Sequence, residues 1–156
     1  MAPRQQLDAI YPGSVGEIFA ALGQTLAFRR WPRAAEWLPG PVPGPGYRYR
    51  CQFGSVLRAG RVVEVIRPVA ITFKEVLHDP PCRVSLTLRW RIDPGLSGCT
   101  VRLRAQYRLN HAAVLRARHW ERRLAQHFRN QFAFLAVNLE RMQGERAGGG
   151  QRQNVI

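Results

Sequence analysis

At 156 residues, 46% hydrophobic and 22% charged, the chain is one domain's worth of ordinary globular composition, long enough to bury a core. It has no run near the ~18 apolar residues of a membrane span, and its opening Met1-Ala2-Pro3-Arg4-Gln5-Gln6 lacks the apolar stretch of a secretion signal, so a cytoplasmic location is expected. The net charge of +14 favours anionic partners, yet all but one of the 24 basic residues (Lys74) are arginines spread along the chain, so nucleic acid is kept only as a secondary reading.

The first element is a short strand around Gln6 to Tyr11, ended by Pro12-Gly13. Ser14-Val15-Gly16-Glu17 has the form of a capping box and opens a short helix to about Gln24 that buries Val15, Ile18, Phe19 and Leu22. A second short helical piece is expected over Arg33 to Leu38, with Trp37 on its apolar side. The Pro/Gly run from Gly40 to Gly46 then forms a surface loop.

From Tyr47 the period becomes two. Tyr47, Tyr49, Cys51 and Phe53 alternate with Arg48, Arg50 and Gln52, and further strands follow over Val56 to Ile66 and Val69 to His78. In the next strand Val84, Leu86, Leu88, Trp90 and Ile92 alternate with polar residues until Asp93-Pro94-Gly95 makes a turn; in the last, Val101, Leu103, Ala105, Tyr107 and Leu109 face inward. Short turns between consecutive strands make an antiparallel meander with one buried face and one arginine face.

Ala112 to Met142 contains neither Gly nor Pro. Ala113, Ala117, Trp120, Leu124, Phe128, Leu135, Leu139 and Met142 form one stripe at helical spacing, with Arg118, Arg122, Gln126 and Arg129 opposite. Asn110 stands at the N-cap and Gly144 at the expected end. The fold class is therefore α+β: about six antiparallel strands curved around a long C-terminal helix, with two short helices near the N-terminus. Residues 1–143 form a single domain, and 144–156 read as a disordered tail.

The element order, together with Val15-Gly16-Glu17-Ile18-Phe19, Trp37-Leu38-Pro39, the run Gly60-Arg61-Val62-Val63-Glu64-Val65-Ile66-Arg67-Pro68 and the closing helix, resembles the START-like superfamily of helix-grip proteins. This superfamily includes the polyketide cyclase/dehydrase, lipid-transport and birch-pollen-allergen proteins. The resemblance implies an apolar small-molecule ligand, of lipid, polyketide or isoprenoid type, held between sheet and long helix. Some members are cyclases or aromatases, and fold alone does not choose among them.

The ligand-binding candidates are the inner aromatic residues Tyr49, Phe53, Phe73, Trp90, Tyr107, Trp120 and Phe128, with Glu75 and His127 as polar anchors; Trp31 and Trp37 stand beside them. The same aromatics would also make a solid core. A two-residue turn at Arg67-Pro68 sets Glu64 opposite Ile71, so that Glu64 and Glu75 share the inward side unless a bulge intervenes. Buried carboxylates there could act as acid, base or anchor. Gln131 and Asn138 fall near the helix seam, where a backbone partner is the common fate.

His111, His119 and His127 recur every eight residues and fan around the helix, so no metal is expected. Nor is a cofactor, and the catalytic residues stay unassigned: there is no GxSxG, Cys51, Cys82 and Cys99 are odd in number and lack CxxC spacing, and Cys51 and Cys82 read as inert. The outer arginines Arg48, Arg50, Arg89, Arg91, Arg102 and Arg104 read as a solvated face without interleaved aromatics, with an RNA, anionic-lipid or acidic-protein platform as the alternative. A homodimer is left open.

Overall fold

The computed structural model describes residues 3–27 and 44–152, with the side chains of Phe53 and of residues 149–152 outside that set. Six strands, β1 (Arg4–Tyr11), β2 (Arg48–Phe53), β3 (Val56–Ile66), β4 (Ala70–Asp79), β5 (Cys82–Gly95) and β6 (Gly98–Leu109), form one antiparallel sheet in the order β1-β6-β5-β4-β3-β2. The helices are α1 (Val15–Ala27), α2 (His111–Val114) and α3 (Ala117–Arg152). The curved, open sheet wraps around α3 in the helix-grip manner. The helical piece expected over 33–38, with Trp31 and Trp37, lies outside the described residues.

Strict alternation builds the sheet. In β5 every second residue from Cys82 to Ile92 is buried and the intervening ones face water. Trp120, Leu124, Phe128, Phe132, Leu135 and Leu139 of α3 cover that inner face, all at most 8% exposed. Each such side chain contributes about 1.5–3 kcal/mol on burial.

Local sequence signals fix the helix starts. Ser14 Oγ accepts from the Glu17 amide at 3.2 Å, and Glu17 Oε1 accepts from the Ser14 amide at 3.4 Å and from its hydroxyl at 3.1 Å. These bonds from Ser14 hold the Glu17 carboxyl below its ordinary range. Asn110 Oδ1 accepts from both Ala113 N (3.0 Å) and Arg83 N (3.1 Å), while its amide donates to Pro81 O (3.0 Å). One side chain thus caps α2 and pins it to the β4–β5 turn.

Four expectations need correction. The single helix over 112–142 is two helices, separated where Arg116 N bonds Ala113 O in a tightened three-residue turn. Gly144 does not end α3, which continues to Arg152. A helical glycine costs about 1 kcal/mol; Gln143 donating to Pro12 O (3.0 Å), Arg146 pairing with Glu17 (3.7 Å) and Arg141 with Glu145 (3.6 Å) offset it. Asp93-Pro94-Gly95 is not a turn, because β5 stays paired through Gly95↔Gly98 and closes with a two-residue loop. Finally, a bulge between Val62 and Glu64 leaves Val62 opposite Phe73 but puts Glu64 opposite Thr72, which carries Glu64 to the exposed side.

Tyr11 ties the β1 edge to α3. Its hydroxyl donates to Phe132 O at 2.8 Å, and burial pushes its pKa up to about 12. The folded chain therefore keeps the phenol proton after the unfolded chain has lost it. Stability from this group is intact below about pH 10 and is lost as pH rises toward 12. Tyr11→Phe should lower stability by about 0.5–1.5 kcal/mol at neutral pH. Its deficit against the parent should shrink over that alkaline window in urea titrations; a constant deficit would show that Tyr11 does not titrate late.

Candidate functional site

The inward rows of the sheet follow from its register. One row runs Tyr49–Gly60–Glu75–Leu86–Tyr107 across β2 to β6, and the next runs Cys51–Arg58–Leu77–Val84–Leu109. Glu75 and Arg58 are thus diagonal neighbours on adjacent strands, within reach of long side chains. Tyr49 lies two strands from Glu75, with Gly60 between. A Cβ at Gly60 would sit 2.5 Å from Tyr49 Oη and 2.9 Å from Glu75 Cγ. The missing side chain is what lets the Tyr49 hydroxyl cross β3 and donate to Glu75 Oε1 at 2.5 Å.

Glu75 is 2% and Arg58 4% exposed. Arg58 Nε stands 3.5 Å from Glu75 Oε2, and its other end reaches His127 Nε2 on α3 at 2.8 Å. Guanidinium has only donors, so His127 accepts through Nε2, carries its proton on Nδ1 and is neutral. The four side chains Tyr49, Glu75, Arg58 and His127 then sum to zero charge, which is what a buried cluster requires. Protonating His127 would remove its lone pair and set imidazolium against guanidinium. The chain of contacts, hydrogen bonds from phenol to carboxylate and from guanidinium to imidazole joined by the 3.5 Å ion pair, sets one proton donor beside one carboxylate base.

Other polar groups share this flank of α3. Gln131, one turn beyond His127, is buried, and its Oε1 has no hydrogen-bond partner among the described residues. Among the described residues Asn138 bonds a side chain and not backbone: its amide donates to Thr25 Oγ1 at 2.9 Å, at the end of α1. Glu64, expected to join Glu75, is outside.

Of the sequence-derived candidates, Tyr49, Phe73, Glu75 and His127 are brought together: the Phe73 ring meets Tyr49 edge-on at 6.2 Å, and Phe128 lies 5.9 Å from His127. Tyr107 is buried in the same inward row as Glu75. Trp90 packs elsewhere, 5.3 Å from Phe132, and Trp120 sits near the start of α3 with Arg123 over its ring at 5.4 Å. Both tryptophans are buried, and among the described residues neither indole N–H has a partner. Phe53 closes β2 opposite Val56. Sequence reasoning missed Arg58 and Gly60. The signal was there: Val56 and Val62 face inward on β3, so the even positions between them must as well. Among the described residues no group of three or more His, Cys, Asp and Glu side chains could hold a metal ion, and no helix is long and apolar enough to cross a membrane.

No protein-family model and no curated protein matches the chain. Solved structures do. A protein of Mesorhizobium loti, MLL2253, is 14% identical with a TM-score of 0.63, covering 89% of this chain and 98% of that one. DynU16, from the dynemicin biosynthetic locus, is 18% identical (TM-score 0.59) over 88% of this chain, and the di-domain ARO/CYC StfQ from the steffimycin biosynthetic pathway is 13% identical (TM-score 0.57) over 90%. The chain spans about half the length of each, 47% of DynU16 and 51% of StfQ. At these identities the likeness is one of fold: the chain has the helix-grip architecture of these proteins.

Proposed function

We propose that the protein binds a hydrophobic or aromatic small molecule, of lipid, polyketide or isoprenoid type, between the sheet and α3, with the Tyr49–Glu75–Arg58–His127 cluster as its polar anchor. The observation that carries this reading is the cluster itself. Four ionisable side chains from three strands and one helix converge in a mostly apolar interior, where buried ion pairs add little to stability. Burial of apolar ligand surface supplies the affinity, and one or two hydrogen bonds to the cluster or to Gln131 set the orientation. Fold likeness to DynU16 and StfQ supports the ligand class by analogy.

A second reading, a polyketide cyclase/aromatase-like enzyme, draws support from the same cluster. Such chemistry needs at least two convergent ionisable groups. In this reading Tyr49 gives a proton and Glu75 takes one, while the walls hold a reactive chain folded.

Native mass spectrometry of the full chain, purified from its source and compared with the denatured chain, tests the binding reading. The expected result is a discrete extra mass of a few hundred daltons (~300–600 Da, a pocket-sized ligand). Gly60→Ala, which displaces the Tyr49 hydroxyl, should retain it at least ~10-fold less well, the loss of about one charge-assisted hydrogen bond. Equal retention by parent and variant would remove the cluster as anchor.

A further inference from the structure

The opposite face of the same strands carries a different arrangement. On the outer side, Arg48, Arg61 and Lys74 stand directly opposite one another on β2, β3 and β4, and the row continues through Thr87 and Gln106 to Arg4 on β1. Directly opposed like charges on adjacent strands repel. Elsewhere on this face carboxylates relieve that repulsion: Arg91 pairs with Asp93 at 2.9 Å and Arg102 with Asp8 at 3.0 Å. Among the described residues, Arg48, Arg61 and Lys74 have no such counter-ion, and all three are exposed.

The neighbouring outer row explains why this spot is hollow. It runs Arg50–Ala59–Val76–Ser85–Arg108, so small side chains form a floor between long cationic ones. The result is an open trough of about 620 Å³ bordered by Arg48, Arg61, Lys74 and Arg108. That volume lies within the usual range for small-molecule sites, about 300–1,000 Å³. The acidic residue that borders it, Glu75, has its carboxylate held by Tyr49 and Arg58 on the inner side. An adjoining hollow contains Glu64 beside Arg89 and Arg104, and so lacks this uniform sign.

We propose that the trough formed by Arg48, Arg61, Lys74 and Arg108 is a binding site for a compact polyphosphate-bearing small molecule. Guanidinium forks match phosphate oxygens with paired hydrogen bonds, and Lys74 adds a point charge at the centre of the row. Thr87, Ser85 and Gln106 line the same trough and carry neutral donors for the remaining oxygens. Among the described residues the trough has no outward aromatic ring, so recognition rests on the phosphates and not on stacking of a base.

Titration calorimetry of the full-length protein with inorganic tripolyphosphate, at about 0.15 M salt and again at lower salt, tests this. Saturable binding is expected, weakening as salt rises. The double variant R61S/K74S should bind at least tenfold more weakly while melting no lower than the parent, because it relieves repulsion with Arg48. A control variant on the outer face of α3, R118S/R122S, should bind as the parent does. Equal loss in the control would reduce the effect to diffuse charge and overturn the site. So would absence of saturable tripolyphosphate binding, including the case where single-stranded RNA or phosphatidic-acid vesicles bind through Arg61 and Lys74 instead.

Discussion

Arg58→Met should destabilise the protein by about 3–5 kcal/mol, because it removes one member of a buried ion pair and keeps the other. Glu75 is 2% exposed, and the neutral Tyr49 hydroxyl does not supply the positive charge of the guanidinium 3.5 Å away. For a domain of this size the melting temperature should fall by roughly 10 °C, and the loss is a large part of a typical total stability of about 5–15 kcal/mol. Denaturation at unchanged slope measures it. The double variant Arg58→Met/Glu75→Leu should recover most of the loss, since replacing a whole buried pair with apolar groups is commonly neutral or favourable. If the single variant loses under ~1 kcal/mol, the cluster is open to water, and the description of a dry, charge-balanced site fails. Recovery in the double variant, together with loss of ligand, would separate a binding role from a structural one.

Gly98→Ala should cost about 3 kcal/mol or more by a different route. Gly98 holds φ at +130°, where a side chain is strained, and an added Cβ would press into the Tyr11 carbonyl oxygen. That oxygen belongs to the backbone at the end of β1, so nothing flexible can move aside. The β1–β6 junction would have to open, carrying with it the buried hydrogen bond from Tyr11 to α3. Hydrogen exchange should show the loss concentrated at residues 9–11 and 99–101. Parent-like stability in Gly98→Ala would mean that the β1 end shifts freely and contributes little.

How much of this was legible in the sequence varies with the kind of signal. Alternation in β5 and β6 reads directly because their inward positions are uniformly apolar, from Val84 to Ile92 and from Val101 to Tyr107. The Ser14–Glu17 box and the Asn110 cap read as easily, being local chemistry between residues three apart. Arg58 did not, because one inward arginine looks like any other in a chain this rich in them; only the parity of Val56 and Val62 betrays it. Gly60 reads in the sequence as one residue of a motif, although its role is to leave space for a tyrosine two strands from the acid it holds. The bulge at Val63 has no local signature, and it decides which of two glutamates is buried. The helix beyond Gly144 depends on Pro12 and Glu17, residues far away in sequence.

The sheet order also sets a schedule for synthesis. Each pairing from β2 through β6 joins strands adjacent in the chain, so the meander can zip one hairpin at a time as it emerges. β1 is the exception: Arg4 through Tyr11 find their partners in Cys99 through Gln106. β1 must therefore wait, unpaired, until β6 has been made, and it closes the longest loop in the fold. Its alternation of Arg4, Gln6 and Asp8 with half-buried Gln5, Leu7 and Ala9 suits that wait. Polar and charged side chains on a lone edge keep it from pairing with another nascent chain before its own sixth strand arrives.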